Sequence, residues 1–233
     1  MADERYKLCP HSVQALDAVL PTQPHPLPLL FRSHLLAMLG RLDEAWSSAH
    51  EAAEHQRELD PSQDLSDYTL AEIAALAGDW ESAAQYLGGF CEILAEHGQQ
   101  RMLSTCAPTL GRFLCILGRW DEAEAQAQVG RELGDEHDVS TQAMWRQVQA
   151  RVGAHRGRHA EAVDLAGDAL ALMERTDALN FQGAALSDLA EVLIEAGRPE
   201  EAAAVLADAL ERYERKRNFA AAAQVRSRIE TLS

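Results

Sequence analysis

Apolar residues recur with a helical period along most of the chain. The pattern is cleanest where Ala202, Val205, Leu206, Ala209, Leu210 and Tyr213 fall at i, i+3, i+4, i+7, i+8 and i+11. Leu186, Leu189, Ala190, Leu193 and Ile194 show the same rhythm just upstream. Each set lines one face of an amphipathic helix. No stretch alternates apolar and polar residues with β-branched enrichment, so no strand is expected. The pattern predicts helix pairs over 27–39 with 42–59, 63–77 with 80–97, 99–117 with 120–134, 139–156 with 159–175, and 178–196 with 199–215. A last single helix is expected over 219–232.

The joints between paired helices share one motif. Gly118-Arg119-Trp120-Asp121-Glu122-Ala123 has counterparts starting at Gly40, Gly78, Gly157 and Gly197. Subtracting the glycine numbers gives spacings of 38, 40, 39 and 40 residues. A fixed period of this size marks a stacked repeat array. The glycine can take positive φ and end one helix. The acids after it suit the first turn of the next, where the helix dipole is positive. Pro199 stands at a first helical position, where its missing N–H is not needed. Leu42, Trp80 and Trp120 occupy an apolar slot at the tight end of each hairpin. One hairpin alone leaves an apolar side bare, so stacking stabilises the fold.

Composition supports helices and narrows the partners. The chain of 233 residues contains 41 alanines, the best helix former. The net charge of −16 keeps it soluble and repels phosphate backbones, so no direct nucleic-acid partner is expected. Cys9, Cys91, Cys106 and Cys115 have no metal or disulfide spacing and read as buried thiols in a reducing, cytoplasmic setting. No signal peptide or membrane span is expected. Residues 1–26 are expected to be an N-terminal arm with a Pro-rich linker, and 27–233 a helical repeat domain. Ser12 to Leu20 has room for two turns of helix, and Pro21, Pro24, Pro26 and Pro28 favour extended backbone. The arm either packs on the first hairpin or is the severed end of a longer protein; the second reading is preferred.

The hairpins resemble tetratricopeptide repeats in a long form of about 39 residues. In that family small residues let the two helices of a hairpin cross closely. Twelve residues before the motif alanines stand Ser33, Ala71, Gly111, Ala150 and Ala190. Seven residues after them stand Ala52, Phe90, Gly130, Ala169 and Ala209. With Ala45, Ala83, Ala123, Ala162 and Ala202, fourteen of fifteen positions are small. The resemblance covers about residues 27–216. It implies an all-α, right-handed α-α superhelix of five hairpins with a capping helix. The length and Ala/Arg richness of the repeats are similar to those of large bacterial signalling ATPases, cyclases and transcriptional regulators. The chain departs from the 34-residue form in lacking a proline at the end of each repeat.

Tetratricopeptide repeats bind along a concave face lined by their first helices, and counting back from the motif alanines places residues there. Eleven before gives His34, Glu72, Arg112, Arg151 and Glu191; fifteen before gives Leu30, Tyr68, Pro108, Gln147 and Ser187. Seven before gives Met38, Leu76, Ile116, His155 and Glu195. The expected partner-binding set is Tyr68, Glu72, Arg112, Gln147, Arg151, His155 and Glu191. Its centre is cationic in an acidic chain, and the arginine fork suits carboxylates. An acidic or C-terminal segment of a protein partner is the expected occupant, in a scaffold or sensor of bacterial signalling. The alternatives are a small-ligand or peptide effector in the same groove, and a homodimer formed through the first hairpin. A bland reading pairs these arginines with acids such as Glu72 or Glu191. The Lys/Asn/Arg set of the carboxylate-clamp repeats in chaperone cofactors is absent, so recognition of chaperone tails is not carried over.

Other chemistry is set aside. His50-Glu51-Ala52-Ala53-Glu54-His55 resembles a zinc-protease motif, but its histidines are five apart, about 140° apart around a helix. No phosphate-binding GxxxxGK[ST] loop or Gly-x-Ser-x-Gly elbow occurs. Paired acids such as Asp121-Glu122 and Glu200-Glu201 are helix-start charges. No enzyme activity, cofactor or metal is expected.

Overall fold

The computed structural model describes residues 8–19, 25–59 and 65–232. Among these residues there are twelve helices and no strand. They are α1 (Leu8–Val19), α2 (Pro26–Met38), α3 (Leu42–Leu59), α4 (Ser66–Ala77), α5 (Trp80–Glu96) and α6 (Gln100–Ile116). Then come α7 (Trp120–Leu133), α8 (Val139–His155), α9 (His159–Met173), α10 (Leu179–Glu195), α11 (Pro199–Lys216) and α12 (Phe219–Leu232). From α2 to α11 they form five antiparallel hairpins.

The joints follow from the glycine motif. Gly40, Gly78, Gly118, Gly157 and Gly197 have φ of 79°, 81°, 72°, 79° and 73°. At the first joint the Gly40 N–H donates to Ala37 O and the Arg41 N–H to Leu36 O, both at 2.9 Å. This satisfies carbonyls that the helix end would leave open. The next helix is clasped at its start. Arg41, Arg119 and Arg198 pair with Glu44, Glu122 and Glu201 three residues on, and Asp79 accepts from the Ser82 N–H at 3.1 Å. These pairs are exposed and contribute little to stability. The last joint uses Arg217 at φ 62°, followed by Asn218, whose side chain accepts from the Ala221 N–H.

All fifteen crossing positions are buried. Phe90, the large exception, packs its ring 6.2 Å from that of Tyr68. At Gly111 even a methyl group would stand 3.1 Å from Ala123 O and from Val148 Cγ1. Ala190 is fully buried where α10 crosses α11. Ala190→Leu is therefore expected to destabilise the protein by about 1–3 kcal/mol through overpacking. An unchanged urea midpoint for that variant would refute the close crossing.

The N-terminal arm contains α1, which is longer than the two turns expected. It packs on α2, with Val13 buried and Arg32 Nε donating to Asp17 Oδ1 at 2.6 Å. Linker residues 20–24 and the expected helix start at Gln63 lie outside the described residues.

The last helix does more than end the array. Besides α11, α12 touches α2 and α4, the first helices of the first two hairpins. Gln224 Nε2 donates to Ala75 O at 2.8 Å and to Leu76 O at 3.1 Å, at the open C-terminal end of α4. Asn180 on α10 likewise reaches Met38 on α2, Nδ2 to Sδ at 3.7 Å. First helices pack side by side as α2–α4, α6–α8 and α8–α10, whereas α4 does not lie against α6 in this way. Trp80 bridges that junction, its ring 5.8 Å from the Phe113 ring. The array thus curls round until its end meets its beginning, with α12 on the inner side.

Candidate binding cavity

The curl forms a partly open cavity of about 310 Å³. Its walls come from α6, α8, α10, α11 and α12, with Trp80 at one side. Arg112 on α6 and Arg151 on α8 occupy equivalent repeat positions, so stacking brings them to the same wall. Both point at one carboxylate. Arg112 Nε donates to Asp188 Oδ2 at 2.7 Å, and Arg151 Nη1 to Asp188 Oδ1 at 3.2 Å. Asp188 is 2% exposed, and the arginine side chains 23% and 10%. Burial lowers the Arg112 pKa; the Asp188 charge, Tyr213, the hydrogen bond to Asp188 and Cys115 together outweigh it and hold the pKa above the ordinary value. The Tyr213 hydroxyl beside them is pushed up, chiefly by burial.

Asp188 was not singled out from the sequence. It stands fourteen residues before its motif alanine, where the other repeats have Phe31, Thr69, Thr109 and Val148. A lone acid in a slot otherwise uncharged was the available signal. Glu191, which was expected here, also lines the cavity but is held by Arg228 of α12 through two bonds of 2.7 and 2.9 Å. The bland expectation that acids neutralise these arginines thus holds in part, with Asp188 as the partner instead of Glu72 or Glu191.

The other expected site residues lie apart. Tyr68 and Glu72 form a second cluster: the Tyr68 hydroxyl donates to Glu72 Oε1 at 3.1 Å, and His34 Nδ1 stands 3.0 Å from Glu72 Oε2. Gln147 is one turn before Arg151, 4% exposed, with its Nε2 lacking a hydrogen-bond partner among the described residues. His155 is outside the cavity and stacks on Trp120, with ring centroids 4.2 Å apart. The slot assigned to Trp80 and Trp120 therefore packs each indole onto the first helix of the next hairpin.

The His34–Glu72 pair has a pH consequence. The Glu72 carboxylate raises the His34 pKa above 6.5 against burial and Lys216, which lower it. A raised imidazole stabilises the fold below the unfolded value near 6.5 and loses that contribution as pH rises through the folded value. The urea midpoint is expected to fall across that window, and His34→Gln to flatten the fall. An identical slope in the variant would contradict the pairing.

Burial pushes the Cys91, Cys106 and Cys115 thiols up to about 12, so they are inert core residues. His50 Nδ1 lies against Trp46 O at 2.7 Å, in a helix side-chain-to-backbone contact. No helix among the described residues is long and apolar enough to cross a membrane. A larger hollow, about 810 Å³, lies between α5 and α7 over α6. Its one arginine, Arg119, is already paired with Glu122 and Glu81.

Residues 140–215, which span the fourth and fifth hairpins, match the family model of the tetratricopeptide repeat. These two hairpins are thus similar to tetratricopeptide repeats, and the other three share their fold. Several solved structures share the fold of this array. A thermophilic TPR protein of Thermus thermophilus is 22% identical, with 89% of this chain and 98% of that chain covered and a TM-score of 0.58. A Rap protein complexed with competence and sporulation factor is 12% identical, covering 98% and 70%, with a TM-score of 0.61. A signal transduction ATPase with numerous domains from Pyrococcus horikoshii, which has a tetratricopeptide repeat sensor, is 15% identical over 96% and 35%, with a TM-score of 0.56. No curated protein matches the chain.

Proposed function

We propose that this tetratricopeptide array is a sensor or scaffold of a bacterial signalling system that takes a short partner segment into its inner cavity. One observation carries this reading. Three arginines and two carboxylates line the cavity, leaving one positive charge in excess inside a chain of net charge −16. A partly buried excess charge favours an anion that completes it. The array with a bound factor and the array that serves as a sensor offer a precedent in shape for such a role.

The reading is testable by a photo-crosslinking residue placed at Ile116, inside the cavity, or at Gln85, in the outer hollow. Native lysate is expected to yield partner adducts from position 116 only. Adducts from position 85 alone would move the interaction to the outer face. A second reading, a small effector molecule, is favoured by the wall that α12 adds across the inner side.

A further inference from the structure

We infer that the cavity is a receptor site for a single carboxylate group carried on a small apolar body, gripped by Arg112 and Arg151. The inference rests on the assignment of this cavity as the binding site and specifies the chemistry of its occupant.

A guanidinium has five N–H donors. Arg228 spends its Nε and Nη2 on Glu191 and its Nη1 on Thr231. Arg112 and Arg151 each make a single hydrogen bond, both to Asp188. Among the described residues their remaining donors have no acceptor, although the Arg151 side chain is only 10% exposed and both residues line the cavity. The Asp188 carboxylate orders both forks and leaves their outer N–H groups unspent.

The excess in the cavity is one unit. A carboxylate brings one negative charge in a planar pair of oxygens, which matches an arginine fork. A phosphate ester brings about −1.5 to −2 and would overshoot.

Trp80, Ile116, Leu206 and Val225 give the same cavity apolar walls. A volume of about 310 Å³ lies at the small end of ligand pockets. One wall is α12, which Gln224 ties to the end of α4. The carboxylate belongs to a free organic acid or to the last residue of a peptide; both present the same group on an apolar stem.

The test is calorimetric titration of the full chain with two acid–amide pairs: phenylacetate against phenylacetamide, and the tripeptide Ala-Ala-Phe with a free or amidated C-terminus. Each pair differs in charge while keeping its apolar part. At least one acid is expected to bind roughly tenfold or more tightly than its amide, the margin expected of a charge-assisted fork. Binding confined to phenylacetate would identify a free acid as the ligand class, and tighter binding of the tripeptide acid a chain terminus. Arg112→Gln is expected to bring the acid down to the level of its amide, and Arg112→Lys to restore only part of the difference. Acids and amides that bind alike, or no binding by either acid, would overturn the inference without any variant having to fold. Adducts from position 116 alongside silent acids would leave the cavity as the partner site and reject only the carboxylate.

Discussion

Asp188→Ala is expected to destabilise the protein by about 3 kcal/mol, at the lower end of what removal of one partner from a buried ion pair costs. The carboxylate is 2% exposed and, among the described residues, is the only hydrogen-bond acceptor of both Arg112 and Arg151. Its loss would leave two guanidinium groups facing each other in one pocket. The arginines keep partial access to the cavity, which limits the penalty. In a chain of this length the change corresponds to roughly 6–12 °C in Tm. Asp188→Asn keeps the shape and an acceptor oxygen but loses the charge, and is expected to fall between. A melt of Asp188→Ala within about 1 °C of the parent would mean that the arginines find other partners, and the inner charge cluster would lose its centre.

Gly130→Ala has an expected effect of about 2–3 kcal/mol, through overpacking of a site with no room. A Cβ there would stand 2.2 Å from Pro108 Cγ, 2.9 Å from Pro108 Cδ and 3.2 Å from Ser104 O. Alanine ordinarily favours a helix over glycine by about 1 kcal/mol, so a loss at this position reports the clash against that gain. Pro108 lies inside α6 and has no N–H for the Ser104 carbonyl four residues back. Its ring instead fills the space over Gly130. The two sites are therefore coupled: in a Pro108→Ala background the same Gly130→Ala change is expected to lose most of its penalty. Additive effects of the two substitutions in urea unfolding would show that the ring and the glycine do not meet.

The legible parts of this protein are those set by short-range rules. The positive φ at the five motif glycines, the acids opening each following helix, and the small residues at the crossings all repeat within about 40 residues. Each is decided by backbone sterics or by one helix meeting its sequence neighbour. Counting within a repeat also gives Arg112 and Arg151 equivalent positions, and both line one cavity. What counting cannot give is which first helices face one another across the curl. Asp188 is 76 residues from Arg112 and 37 from Arg151, and belongs to a slot that is uncharged elsewhere. The meeting of Gln224 with Leu76 spans 148 residues. His155 likewise depends on a neighbouring repeat. Its position faces inward by count, but the flat Trp120 ring offered a stacking partner outside the cavity.

The sequence by itself determined the repeat, the hairpins and their close crossings, because these depend on residue type at fixed local spacing. Only the tertiary structure decided that the array curls until α12 lies inside it, and that the cationic groove becomes a partly open cavity with one positive charge in excess. The physical reason is accumulation. Each junction between hairpins adds a small rotation set by side-chain volumes such as those of Trp80 and Phe113, and only the total over five hairpins brings the ends together.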